Sequence, residues 1–114
     1  MFEFHGWASI SYHTHDTDLR AQERCWQDVV ACVRRQESSL FTTRQANGLH
    51  EVTVAGRHAR RSEYVIDLFK ELAVLAPGSY GILYVRDDED QRGAGAYANA
   101  FRVWKLCRGT LTEE

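Results

Sequence analysis

The amino-acid sequence predicts an α+β fold in which one mainly antiparallel sheet carries two helices on one face. Three observations predict it: residues 2–12 alternate apolar and polar side chains, two later segments repeat apolar residues at helical spacing, and Asn47-Gly48 separates two strand-like runs. The 114 residues, 44% hydrophobic and 26% charged, have a globular composition. We therefore expect one domain over residues 1–114, with elements in the order β-α-β-β-α-β-β.

The first strand and first helix are predicted from two different periods. Period-two alternation over residues 2–12 is typical of a strand with one buried face. Thr14 or Asp16 is in position to cap the helix that follows, and this helix is expected to end at about Glu37. Its apolar residues recur at three- and four-residue steps: Leu19, Trp26, Val29, Val30 and Val33.

The middle of the chain is predicted to form a hairpin and a second helix. Strands near residues 40–45 and 49–55 are joined by Asn47-Gly48, a strong hairpin signal because both residues tolerate positive φ angles. Ser62 is predicted to cap the second helix, which ends before Pro77-Gly78. Its apolar stripe is Val65, Leu68, Phe69, Leu72 and Leu75.

Two further strands are predicted over residues 80–86 and 100–107. Between them lie an acidic run, Asp87 to Asp90, and a glycine-containing loop over residues 91–98. The residues after Arg108-Gly109 are expected to form a polar tail. Since both helices pack on one face, the other face of the sheet is expected to be free for a partner.

Charge and cysteine usage restrict the class of protein. Fourteen Lys+Arg against sixteen Asp+Glu give a net charge of −2, which argues against direct nucleic-acid binding because such domains are usually strongly basic. Cys25, Cys32 and Cys107 have no metal or disulfide spacing, and the first two are expected to be buried thiols on one helix face. With no signal peptide or membrane-spanning apolar run, the chain is predicted to be cytoplasmic.

The sequence contains no catalytic motif and no phosphate-binding glycine loop, so neither enzymatic activity nor a cofactor is expected. Two alternatives remain open. His13 and His15 are able to face one metal ion, with the run Asp87–Asp90 completing the site of a metal-dependent enzyme. The basic run Arg57–Arg61 opens the second helix near Tyr64 and would suit a small RNA-binding regulator.

The free sheet face and the acidic run are the features that best fit a protein partner. By residue parity, Trp7 lies on the polar side of its strand with His5. If Phe101 and Val103 face the helices, Trp104 lies on the free face as well. Exposed tryptophans beside arginines are typical of interface hot spots. The acidic run is expected to be a solvated tip that attracts a basic partner surface.

Three blocks of the sequence resemble a known family. They are Met1-Phe-Glu-Phe-His-Gly-Trp-Ala-Ser-Ile, Gly78-Ser-Tyr-Gly-Ile-Leu-Tyr-Val-Arg-Asp-Asp-Glu-Asp, and Asn99-Ala-Phe-Arg-Val followed by Arg108-Gly-Thr-Leu-Thr. Together, in this order over nearly the whole chain, they resemble the immunity protein 7 family of bacterial polymorphic toxin systems. The resemblance implies a small α+β cytoplasmic protein, made beside a toxin, that neutralises the toxin domain by binding it. It implies no catalytic residues.

From the residues and the resemblance together, we expect a monomeric immunity protein whose partner is a cognate toxin domain. It is expected to block the active site or the substrate path of the toxin, without a metal, a membrane or nucleic acid. The predicted toxin-binding residues combine aromatic anchors with charged side chains: Trp7, Tyr84, Arg86, Asp87, Asp88, Glu89, Asp90 and Trp104.

Overall fold

The computed structural model describes residues 1–114 and has the predicted α+β architecture. Its helices are α1 (Leu19–Arg34) and α2 (Tyr64–Leu75), and its strands are β1 (Phe2–Ser9), β2 (Phe41–Ala46), β3 (Leu49–His58), β4 (Tyr80–Asp87), β5 (Arg102–Cys107) and β6 (Thr110–Glu113). The six strands form one antiparallel sheet in the order β2-β3-β1-β4-β5-β6. Neither helix is long and apolar enough to cross a membrane.

The strand register divides the sheet into two faces. Phe4 of β1 is aligned with Val85 of β4, and Ala8 is aligned with Val52 of β3. All four of these residues are buried and belong to a single hydrophobic core that both helices share. The opposite side, here called the open face, carries the alternate residues of each strand, such as Trp7. The prediction of two helices on one face is therefore confirmed.

The core lies between the helices and the buried face of the sheet. Helix α1 contributes Trp26, Val29 and Cys32, and α2 contributes Leu68, Phe69 and Leu72. Cys25 and Cys32 are buried as predicted, and all three cysteines are free thiols. Burial, followed by interaction with Glu71, raises the pKa of the Cys32 thiol to about 11, which keeps this thiol protonated and unreactive.

The hairpin between β2 and β3 forms at the predicted residues. Asn47 has a φ angle of 53° and Gly48 has a φ angle of 76°, and Ala46 is paired with Leu49 across the turn. Positive φ at both central residues is the geometry of a type I′ turn, whose twist matches that of the strands. The Asn-Gly prediction is confirmed.

The predicted helix caps are wrong in both helices. The carboxylate of Asp18 accepts hydrogen bonds from the backbone N–H groups of Arg20 (2.9 Å) and Ala21 (3.1 Å), so Asp18 caps α1. The carboxylate of Asp16 instead accepts a 2.5 Å bond from the Tyr12 hydroxyl. No side chain caps α2: Glu63 occupies the N-cap position, and the hydroxyl of Ser62 donates to the carbonyl oxygen of Arg60 instead.

A sixth strand replaces the predicted polar tail. Arg108 and Gly109 have φ angles of 49° and 81° and form a tight turn, after which Thr110 pairs with Cys107. Leu111 of β6 packs against the core. The prediction fails because an Arg-Gly turn is a weaker signal than Asn-Gly, and because only one residue of β6 is apolar and packed on the core.

Candidate functional site

The open face is assembled in rows that run across three or four strands. Antiparallel pairing aligns side chains of the same parity, so residues far apart in the sequence become neighbours. From one end of the sheet, the rows are Arg57–Glu3–Arg86, then Ala55–His5–Tyr84–Val103, then Thr53–Trp7–Ile82–Lys105. Trp7, Tyr84 and Arg86 thus share the face on which the sequence predicted a partner surface.

Exposed aromatic side chains and the half-buried Tyr84 form a patch on this face, here called the aromatic patch (His5, Trp7, Tyr80, Tyr84 and Phe101). Trp7 is 40% exposed, Phe101 is 44% exposed and Tyr80 is 61% exposed. Phe101 packs edge-on against His5 and Tyr84, with ring centroids 5.9 and 6.3 Å apart. These three residues line an open cavity of about 280 Å³ whose exposed lining is apolar.

The prediction for the last strand assigned its two faces the wrong way round. Trp104 is aligned with the buried Leu83 and packs against the core, with the ammonium group of Lys70 of α2 5.7 Å from its ring centroid. Phe101 lies on the open face instead. The parity of β5 is set by its ladder with β4, in which Leu106 is buried. In the sequence, the apolar Leu106, two residues after Trp104, is the signal that favours this parity.

One carboxylate on the open face is surrounded by three basic side chains. Glu3 Oε2 lies 2.8 Å from His5 Nε2 and 3.8 Å from a guanidinium nitrogen of Arg57. Glu3 Oε1 lies 3.4 Å from Arg86. The hydrogen bond with His5 is the largest cause that lowers the pKa of Glu3, with Arg57 and Arg86 acting in the same direction. Two guanidinium groups therefore share a single carboxylate beside the aromatic patch.

Three of the four acids in the acidic run are paired with cations. Asp87 is the last residue of β4 and is 7% exposed on the helix side, where its carboxylate lies 3.3 Å from Arg61. The carboxylate of Asp88 lies 2.5 Å from the N-terminal ammonium of Met1. The expectation of a fully solvated tip is wrong for Asp87, because β4 extends into the acidic run.

Asp90 belongs to an ionic network that connects the loop after β4 with β6. Arg92 contacts Asp90 at 2.8 Å and Glu113 at 2.5 Å. Hydrogen bonds from Arg92 lower the pKa of Asp90 to about 2. Tyr97 completes the network, since the guanidinium carbons of Arg92 and Arg102 lie 5.5 and 4.1 Å from its ring centroid. Of the four acids of the run, only Glu89 has no ion pair.

The two alternative sites do not assemble as the sequence suggested. His13 and His15 line a cavity of about 430 Å³ with Thr14, Pro77 and Arg108, close to the start of β4, whereas the acidic run lies at its other end. No group of three or more His, Cys, Asp or Glu side chains is arranged to hold a metal ion. The basic run is divided, because Arg57 lies in β3 on the open face and Arg61 is bound to Glu63 and Asp87.

Comparison with known proteins gives one match. A family model described as immunity protein 7 matches residues 1–114. No curated protein and no solved structure matches the chain.

Proposed function

The chain belongs to the immunity protein 7 family, and we propose that it neutralises a cognate bacterial toxin domain by docking its open sheet face over the active site or substrate path of the toxin. The family indicates protection against a toxin, and immunity proteins generally act as binding proteins without catalysis. The proposed complex contains one chain per toxin domain and forms in the cytoplasm, where free thiols such as Cys25 and Cys32 are stable.

The observation that carries the proposal is the aromatic patch. Large aromatic side chains that remain exposed as a group on a folded monomer are typical of interaction surfaces, and tyrosine, tryptophan and arginine are enriched among interface hot spots. Here Tyr84 lies in the row between those of Arg86 and Trp7, on a face that neither helix covers. The two edges of the sheet are short strands, so the open face offers a larger contact area than either edge.

Growth rescue and binding by single variants test the proposal. The toxin domain encoded next to this chain is expressed alone and with wild-type chain, and the affinity of the purified pair is measured with an inactivated toxin. Wild type is expected to restore growth. Trp7→Ala and Tyr84→Ala are each expected to weaken binding by about 30-fold, the effect of losing about 2 kcal/mol at a hot spot.

Val74→Ala provides the matched control, because Val74 is 78% exposed on α2, away from the open face. It is expected to bind like the wild type, and thermal melts check that all variants are folded. A toxin that forms no complex with the wild-type chain would refute the proposed function. If the Trp7, Tyr84 and Val74 variants bind the toxin with equal affinity, the toxin binds another surface of the chain.

A further inference from the structure

The cavity between His5, Tyr84 and Phe101 has the size and lining of a pocket for one side chain. Its volume of about 280 Å³ is at the lower end of the roughly 300–1,000 Å³ of sites that bind small molecules and cofactors, and only three side chains line it. The exposed lining is apolar, so the cavity favours a group that buries apolar surface. An aromatic or large aliphatic side chain would bury apolar surface there and add edge-to-face contacts with Phe101.

The charged side chains beside the cavity indicate which chemical group of the partner would lie next to that side chain. His5 and Tyr84 form the row next to Arg57, Glu3 and Arg86. The side chain of Glu3 is 13% exposed and accepts hydrogen bonds from Arg86, whereas Arg57 is 66% exposed and forms only a 3.8 Å ion pair with it. Since a guanidinium carries five N–H donors, a single shared carboxylate leaves donors of both arginines unfilled. A second carboxylate, supplied by a partner, would accept hydrogen bonds from these unfilled donors.

We propose that the cavity receives one apolar side chain of the toxin domain and that Arg57 and Arg86 bind a carboxylate next to it. The inference rests on the proposed function and specifies its partner chemistry. The recognised element is an aromatic or large aliphatic residue flanked by Asp or Glu on an exposed segment of the toxin. Phe101 forms the wall of the cavity, and the two arginines determine which segment is accepted.

Two variants test the two halves of the proposal against the inactivated toxin domain encoded beside the chain. Phe101→Ala removes the wall and is expected to raise the dissociation constant at least tenfold, mainly through faster dissociation. The double variant Arg57→Met/Arg86→Met retains the apolar stems and removes the charges. It is expected to weaken binding at low salt and to reduce the salt dependence of the affinity.

Matched controls are Val74→Ala for the apolar change and Arg24→Met for the charge, since both residues are exposed on the helices. If Phe101→Ala and the double variant bind within twofold of the wild type while Trp7→Ala does not, the inference fails and the proposed function stands. If wild type does not bind the toxin, both fail. Sedimentation of the isolated chain then measures its oligomeric state. A dimer that dissociates in the Phe101→Ala variant would show that a second copy of the chain fills the cavity, which would overturn the inference.

Discussion

At the scale of single residues, Gln22 shows how one side chain joins three segments. Its Oε1 accepts from the backbone N–H of Tyr12 (3.0 Å), and its Nε2 donates to the carbonyl oxygen of Ile10 (2.9 Å) and lies 2.8 Å from His50 Nδ1. The ring of His50 is stacked on Trp26 of α1, with centroids 4.7 Å apart. Gln22 thus fixes the chain between β1 and α1 to the sheet.

Gln22→Met is expected to lower the free energy of unfolding by about 2 kcal/mol, because it leaves partly buried backbone groups without partners. Gln27→Met is the control, since Gln27 is exposed on α1 and bonds only Glu23. Urea unfolding of both variants measures the difference. Equal stability of the two variants would show that water replaces the bonds of Gln22.

A second residue-scale prediction compares two glycines. A Cβ atom at Gly81 would lie 2.2 Å from the carbonyl oxygen of Trp7, whereas a Cβ at Gly48 meets nothing within 4 Å. Gly48→Ala is therefore expected to cost only the strain of its positive φ, about 1 kcal/mol. Gly81→Ala must separate β1 from β4 and is expected to cost about 3 kcal/mol or more. Chemical denaturation compares the two, and a smaller loss at Gly81 would contradict this account.

At the scale of elements, the network of Asp90, Arg92 and Glu113 connects the loop after β4 to the edge strand β6. Strand β6 has only four residues, and a short edge strand is prone to fray. Arg92 binds carboxylates on both sides, so this network is expected to hold β6 in the sheet. The acidic run therefore has a structural role that its sequence does not reveal.

The network predicts a specific pH dependence. Because Arg92 lowers the pKa of Asp90 from 3.8 to about 2, the ionised carboxylate stabilises the folded state above about pH 4, and this contribution is lost as the pH falls from about 4 to 2. Arg92→Met removes the cause of the shift. The stability difference between wild type and Arg92→Met is expected to be largest near neutral pH and to shrink towards pH 2.

Denaturant unfolding of both proteins between pH 7 and pH 2 measures this difference. Glu113, whose pKa Arg92 also lowers, contributes in the same direction. A difference that stays constant over the whole range would show that Arg92 stabilises the fold by packing on Tyr97 and not by ion pairing.

At the scale of the whole molecule, the four acids of the acidic run have different surroundings. The helix side holds Asp87 and Asp90 in ion pairs, while the open face presents guanidinium groups next to exposed aromatic rings. At the rim, Asp88 is 42% exposed and pairs with the N-terminal ammonium, and Glu89 has no cation partner. Electrostatic attraction of a basic toxin surface is thus proposed for Asp88 and Glu89 only.

Replacing the acids in pairs separates these roles. Asp88→Asn/Glu89→Gln is expected to slow association with the toxin and to flatten its salt dependence, with a stability change within about 0.5 kcal/mol. Asp87→Asn/Asp90→Asn is expected to lower stability instead, because it breaks ion pairs with Arg61 and Arg92. Surface-binding kinetics at two salt concentrations, with thermal melts, check both. An unchanged association rate in the first variant would exclude electrostatic steering by the rim.

The sequence by itself determined the features that depend on neighbours along the chain. Period-two alternation placed Trp7 opposite to the buried Phe4, helical spacing identified both helices, and Asn47-Gly48 fixed a hairpin. The three blocks of sequence likewise indicated the family. The first three signals are local, because side-chain direction in a strand and the φ angles of a turn are set by adjacent residues.

Only the tertiary structure decided which distant residues meet. The ladder with β4 turned Trp104 towards the core and placed Phe101 on the open face. Two acids of the acidic run form ion pairs with groups that are distant in the sequence: Asp87 with Arg61, and Asp88 with the N-terminal ammonium. The facing of β5 and the partner of a charge depend on the packing of non-adjacent elements, which a local sequence pattern specifies only weakly.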